Sequence, residues 1–216
     1  MRLPVEQDCN KHVGSNPTPP KFYNLSSAKL ALHLQSCIWE KHIVALNLKD
    51  LIQNILTEHH VLLRRELPRL ELLLGEITSE FGAQNQKLCE AFETFKKVKA
   101  KIEIHLGDEE QFLFPACLKL ENGEAADQIG DEMKAGPNLL DRLVEMESEH
   151  ENSGKAFEAI LIVVNSIAVD GERADGLCHQ FITGLAAVIA DLKVHVQKEN
   201  DQVHPRARQL LSIVYP

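Results

Sequence analysis

The sequence predicts an all-α fold, an up-down-up-down four-helix bundle with a pseudo-twofold internal repeat. Three observations carry that expectation. Strand signal is almost absent, because the β-branched run Leu161 to Val164 sits inside a helical pattern without turn residues around it. Four long segments place apolar residues at a helical period, divided by Gly, Pro and Asn punctuation. Finally, His60 recurs as His150, His105 as His195, Glu109 as Glu199 and Pro115 as Pro205, each pair 90 residues apart.

Residues 1–40 read as an N-terminal arm. Gly14-Ser15-Asn16-Pro17-Thr18-Pro19-Pro20 is turn and polyproline chemistry, and Ser26 or Ser27 caps a short helix reaching about Trp39. Residues 41–216 form the bundle. Helix one is expected from about Leu48 to Phe81, with Leu51, Ile55, Leu56, Leu62, Leu63, Leu67, Leu70 and Leu74 as its stripe. Pro68 should interrupt or bend it, since proline removes one backbone hydrogen bond. Helix two runs from about Asn85 to Glu121, with Leu88, Phe92, Phe95, Val98, Ile102, His105 and Phe112 inward and Asn122-Gly123 as its stop. A linker leads through Gly130 to Gly136-Pro137. Helix three then runs from about Asn138 to Val169, ending at Asp170-Gly171, and helix four from about Asp175 to Val214. Helices of roughly 30 residues are each about 45 Å long, which suits a bundle with short connections.

Composition narrows the class. Hydrophobic residues are 44% and charged residues 25% of 216, an ordinary globular balance. A net charge of −9 argues against nucleic acid as a partner, because phosphate binding relies on clustered Lys and Arg. The apolar run Ala159 to Val164 belongs in a core and, like every other apolar run, is far shorter than a bilayer span, so no membrane segment is expected. The N-terminus lacks the apolar stretch of a signal peptide. Five cysteines (Cys9, Cys37, Cys89, Cys117 and Cys178), odd in number and without a C-x-x-C, suit reduced thiols in a cytoplasmic protein. Cys9 and Cys37 lie outside the repeat and are the stronger candidates for thiol chemistry.

The repeat carries the chemistry. His105 and Glu109 are four residues apart, as are His195 and Glu199, so each pair shares a helix face. His60 and His150 come from the preceding helices, 45 residues earlier in both halves, which suits one antiparallel return. Six side chains (His60, His105, Glu109, His150, His195 and Glu199) can therefore converge at mid-bundle. Four imidazoles and two carboxylates leave open positions on two octahedral ions, a donor mixture that suits iron or manganese. A lone histidine on an apolar face is more often a hydrogen-bonded core residue. That bland reading weakens when two patterns repeat in register, and two buried carboxylates are costly without a cation.

The remaining polar residues read as supporting or solvated. His59 points about 100° away from His60 on a helix and corresponds to Glu149, so it reads as a residue behind the ligands or as surface. His204 stands where Phe114 stands in the first half and reads as a non-ligand lining a pocket or backing a ligand. His12, His33, His42 and His179 read as exposed or structural. Glu145, Glu147 and Glu149 read as a solvated acidic turn, with one of them lining a polar route to the metals.

Taken together these motifs resemble the hemerythrin-like superfamily of HHE domains, in particular the di-iron proteins that repair iron centres under nitric oxide and oxidative stress. The resemblance rests on Ile55-Leu56-Thr57-Glu58-His59-His60 with Arg65-Glu66-Leu67-Pro68, and on His105-x-x-x-Glu109 with Leu113-Phe114-Pro115. It continues through Met146-Glu147-Ser148-Glu149-His150-Glu151 with Gly154, and His195-x-x-x-Glu199-Asn200, spanning about residues 38 to 212. It implies a non-haem di-iron centre, carboxylate- and oxo-bridged when oxidised. His60, His105, His150 and His195 would be terminal ligands, and Glu109 and Glu199 bridges. Oxygen-carrying hemerythrins share five histidines unevenly, so the symmetric set here argues against simple oxygen carriage. Many repair proteins carry adjacent cysteines in an N-terminal module; no Cys-Cys occurs here, which puts any thiol step in doubt. Val203-His204-Pro205 also departs from the family's apolar residue before proline.

The expected function is iron–sulfur cluster repair, by NO or O2 chemistry at the di-iron centre, by iron donation to damaged iron–sulfur proteins, or by both. NO reduction or another redox activity would make it an enzyme. The alternatives are a hemerythrin-like module that binds or senses O2 or NO without turnover, and an iron storage or trafficking protein.

Overall fold

The computed structural model describes residues 47–123, 136–167 and 172–214. The arm expected over residues 1–40, with Cys9 and Cys37, and the stop at Asp170-Gly171 lie outside them. Among the described residues the chain is helical and without strands, as the missing strand signal led us to expect.

Four long helices form the bundle. Helix α1 comprises three consecutive segments: Leu48–Asn54, a π-helical turn Ile55–His60, and Val61–Phe81. Asn47 starts it by accepting a hydrogen bond from the Asp50 backbone N–H at 2.8 Å, which satisfies an otherwise orphaned donor. Pro68 does not interrupt the helix, which continues through it. A short 3₁₀ turn, Gly82–Gln84, leads into α2, whose first N–H groups are capped by Asn85. This corner is tight: a Cβ on Gly82 would lie 2.9 Å from the Cys89 sulfur.

Helix α2 joins Gln86–Asp108, a π turn Glu109–Leu113, and Phe114–Glu121. It ends as predicted at Asn122-Gly123, where Gly123 adopts φ 77°, a left-handed conformation that costs glycine little. Helix α3 is Gly136–Asn165, a few residues shorter than its sequence pattern suggested. Helix α4 joins Glu172–Lys198, a π turn Glu199–Val203, and His204–Val214. Along the bundle α1 and α3 both lie between α2 and α4, and the final segments of α2 and α4 also meet each other. Gly184 of α4 allows close approach to α1, since a Cβ there would lie 2.8 Å from Leu70 Cδ2.

The π turns explain one wrong expectation. A π turn holds one more residue than an α turn. The inward position after His105 and Glu109 therefore moves from Phe112, which is 45% exposed, to Leu113, which is buried. The turns also explain the repeated prolines. Pro115 and Pro205 each fall at the second residue of the α-helix that restarts after a π turn, where a missing N–H and a fixed φ are tolerated. The apolar run Ala159 to Val164 is likewise only partly core: Ile160 and Val164 are buried, whereas Ile162 is 70% exposed.

The core has two apolar layers. One contains Leu63, Leu67, Leu70, Phe95, Phe157 and Phe181, with Phe95 ringed by Phe157 at 5.6 Å and Phe181 at 6.0 Å. The other contains Leu51, Ile55, Leu113, Phe114, Cys117, Met146 and Val203. Burying each such side chain fully stabilises the fold by about 1.5–3 kcal/mol. The α4 stretch Ala174–Ser212 is long and apolar enough to cross a bilayer by length and composition, more than its short apolar runs suggested. Its Phe181, Ile182, Leu185 and Val188 are buried within the bundle. Between the two layers lies a belt of buried polar side chains.

Candidate metal centre

Each half of the chain brings one histidine from its first helix and a histidine–glutamate pair from its second. The structure gathers all six predicted residues in the belt: His60 from α1, His105 and Glu109 from α2, His150 from α3, and His195 and Glu199 from α4. They form two groups of four that share both carboxylates. One group is His60, His195, Glu109 and Glu199; the other is His105, His150, Glu109 and Glu199. Within each group the donor atoms lie within 4.8 Å of one another. Each imidazole pair thus takes one ring from each half of the repeat.

The carboxylates lie between the pairs. Glu109 turns Oε1 to His105 Nε2 at 3.1 Å and Oε2 to His60 Nε2 at 3.4 Å. Glu199 turns Oε1 to His195 Nε2 at 2.6 Å and Oε2 to His150 Nε2 at 3.2 Å. Both carboxylates are wholly buried. Yet His60 Nε2, both Glu109 oxygens and Glu199 Oε2 make no well-formed hydrogen bond among the described residues. Burying that many acceptors without partners costs about 1–3 kcal/mol each, more for charged groups. Across the belt, His105 Nε2 and His150 Nε2 face each other at 2.7 Å. Imidazole and carboxylate donors around common points fit a pair of divalent cations of the iron or manganese type.

Electrostatics of the metal-free belt follow from this crowding. Burial disfavours charge on every member, but pairing with Glu109 and a hydrogen bond to Glu149 overcome it at His105, which is raised to about 9. Burial and the neighbouring His105 lower His150 to about 3. Burial lowers His195 to about 4. Burial alone would raise Glu109, but His105 and His60 hold it well below the usual carboxylate range. Burial and the adjacent Glu109 push Glu199 well above that range. The metal-free belt therefore holds protons that cations would displace.

Further side chains, which sequence reasoning missed, fix two of the four histidines, His60 and His105. Glu110 Oε1 lies 2.8 Å from His60 Nδ1, and its other oxygen accepts from Arg64 at 2.9 Å. Glu149 Oε2 lies 2.7 Å from His105 Nδ1 and is backed by Arg142, which also reaches Asp108 at 2.6 Å. An N–H at Nδ1 donating to a carboxylate leaves Nε2 free as a ligand and raises its basicity. The acidic turn is therefore more than a solvated face: Glu149 backs His105, and Glu147 accepts from His204 Nδ1 at 3.2 Å and from Arg208 at 2.8 Å. Sequence clues existed, since Glu110 adjoins Glu109 and Glu149 adjoins His150.

His59 is not a surface residue. It is 4% exposed and stacks face to face on His195, with ring centroids 5.3 Å apart. Asp191 Oδ1 lies 2.8 Å from its Nδ1 and Lys198 Nζ 2.8 Å from its Nε2, while Lys198 also donates to Asn54 at 2.6 Å. Burial lowers the pKa of Lys198. His204 is wholly buried with its ring parallel to His150 at 6.3 Å, matching Phe114 against His60 at 5.8 Å in the other half. Neither His59 nor His204 belongs to the two donor groups. Cys117 and Cys178 are buried, and burial raises their thiols to about 12 and about 11, outside the range of reactive thiolates.

A cavity of about 550 Å³ opens between α2 and α3 and reaches His105, His150 and His195. Val98, Ile102, Ser153 and Ala156 line its walls, and Lys97, Lys101 and Asn152 its outer part. Of the acidic turn, Glu149 lines this space as expected, but the route is mainly apolar rather than polar.

The chain is similar to known proteins of one family. Residues 51–207 match the hemerythrin HHE cation binding domain, a span that includes all six gathered side chains. The chain is 26% identical over 163 residues to the iron–sulfur cluster repair protein YtfE of Yersinia pseudotuberculosis, covering 74% of this chain and 66% of that protein. It is 27% identical over 168 residues to YtfE of Cronobacter sakazakii, covering 78% and 69%. It is 26% identical over 157 residues to a probable iron–sulfur cluster repair protein of Haemophilus influenzae, covering 73% and 64%. The chain thus spans about two thirds of the length of these relatives. With the domain match and the gathered histidines and glutamates agreeing, this chain belongs to the hemerythrin HHE cation-binding family.

Proposed function

We propose that this chain is a non-haem di-iron protein of the iron–sulfur cluster repair type, acting under nitrosative or oxidative stress. The observation that carries the reading is the pair of donor groups sharing Glu109 and Glu199. The names of the relatives supply the biological setting. In this reading His60 and His195 would hold one iron and His105 and His150 the other, with Glu109 and Glu199 available to both; manganese would suit the same donors. Bound iron supplies redox chemistry toward NO or O2 and is the material for donation to damaged iron–sulfur proteins. The chain's own residues do the rest. Glu110 and Glu149 hold the protons on His60 and His105 at Nδ1, and the apolar layers above and below close the two ends of the belt. The absence of a C-x-x-C among five cysteines supports a reducing, cytoplasmic setting.

An iron–sulfur enzyme inactivated by NO tests the role. Addition of the Fe(II)-loaded chain under anaerobic conditions should restore its activity, and the Glu109→Ala variant should not. Equal recovery with and without the loaded chain would refute repair. The cavity favours a second reading, a reversible gas-binding module, because a mainly apolar passage suits NO and O2. Steady NO consumption under reducing conditions separates turnover from reversible binding.

A further inference from the structure

Glu110 follows Glu109, and 90 residues later Asn200 follows Glu199. Both stand at the second residue of a π turn, Glu109–Leu113 in one half and Glu199–Val203 in the other. Around these turns the two halves match contact for contact. Glu109 Oε2 lies 3.4 Å from His60 Nε2, and Glu199 Oε2 lies 3.2 Å from His150 Nε2. Phe114 lies against His60 at 5.8 Å, and His204 against His150 at 6.3 Å. In the first half Glu110 completes the pattern, with Oε1 at 2.8 Å from His60 Nδ1. In the second half the corresponding atoms, His150 Nδ1 and Asn200 Oδ1, are both buried, and neither has a hydrogen-bond partner among the described residues. A ring nitrogen and an amide oxygen left over at matching places can satisfy each other.

We propose that Asn200 is the positioning residue of His150: in the metal-loaded chain the His150 Nδ1–H donates to Asn200 Oδ1. This rests on the di-iron reading above. His150 turns Nε2 toward Glu199 at 3.2 Å and toward His105 Nε2 at 2.7 Å, so Nε2 is the atom offered to a cation. The ring proton then sits at Nδ1 and needs an acceptor, which an asparagine supplies with its amide oxygen. His204 Nε2 is also buried without a partner among the described residues. The His204 ring, however, stacks on His150 at an interplanar angle of 10°, whereas an N–H points within its own ring plane. Its Nδ1 already faces Glu147. Asn200 thus stands in the second half for Glu110 in the first, and it orients its histidine without placing a further negative charge beside the belt.

The test compares the full chain with its Asn200→Leu and Asn200→Asp variants. Fe(II) affinity is measured anaerobically by competition with a chelator, and the metal-free forms are melted alongside. Asn200→Leu should bind Fe(II) about 10–100-fold more weakly. Its metal-free form should melt no lower than the wild type, because the substitution removes an unpaired buried acceptor. Asn200→Asp keeps an oxygen in the same place and should bind Fe(II) at least as tightly as the wild type. A crystal structure of the Fe(II)-loaded wild type should show Asn200 Oδ1 within about 3.2 Å of His150 Nδ1. Unchanged affinity in Asn200→Leu, whether or not its metal-free form melts lower, would overturn the inference and leave the di-iron reading intact. So would an Asn200→Asp variant as weak as Asn200→Leu, or a loaded structure in which His150 Nδ1 turns to His204. A wild-type chain that does not hold two irons would overturn both.

Discussion

At the scale of single residues the account turns on which nitrogen of each histidine is free. Glu149→Gln and Glu110→Gln remove the carboxylates behind His105 and His60. Each should weaken metal binding about 10–100-fold, read by competition with a chelator, with an unchanged helical circular-dichroism signal. Glu109→Ala should cost far more bound metal than His59→Ala, since Glu109 belongs to both donor groups and His59 to neither; equal metal content by elemental analysis would refute the assignment. Proton linkage gives a further expectation. His105, raised to about 9, stabilises the metal-free fold fully below its unfolded value of 6.5, and that contribution drains as pH rises through about 9. His150 and His195, lowered to about 3 and about 4, contribute above 6.5 and lose their contribution as pH falls toward those values. The metal-free chain should therefore melt highest near pH 6.5, while metal affinity should keep rising with pH as protons leave His105. All six donors were legible because they repeat in register. Glu110, Glu149, Asp191 and Lys198 were not, because a charge beside a ligand looks solvated until the facing helix is known.

At the scale of elements the sequence pattern located four helices and missed the turns that aim them. Helical periodicity assumes one residue count per turn. Three π turns break that count where His60, Glu109 and Glu199 sit, and this is why Phe112 was assigned inward and Leu113 was not. The prolines at 115 and 205 were visible as part of the repeat, but their purpose, restarting an α-helix after a wide turn, needs backbone geometry. Helix contacts give a prediction of their own. Gly184→Val should destabilise the chain by about 1–3 kcal/mol, because its new atoms meet Leu70 and Arg69 of α1. Urea denaturation should show a lower midpoint with little change in slope; an unshifted midpoint would mean that α1 and α4 do not approach as closely as described.

At the scale of the whole molecule two apolar layers hold a polar belt between them, and the pseudo-twofold repeat delivers each imidazole pair from both halves. That crossing has a consequence for stability: neither half can complete a donor group alone, so cations should tie the halves together and raise the melting temperature. The apolar layer around Phe95 has its own test. Phe181→Ala should cost about 3–5 kcal/mol by opening a cavity beside Phe95. The repeat let the bundle and its belt be read from the sequence, whereas the cavity between α2 and α3 depends on how the side chains of facing helices meet. The most direct test of the account is the iron content of the full chain, loaded anaerobically with Fe(II) and freed of loose metal by gel filtration. The account predicts two irons per wild-type chain and a loss of both when Glu109 and Glu199 are replaced together by alanine. A wild-type chain that retains none, or a double variant that retains two, would contradict it.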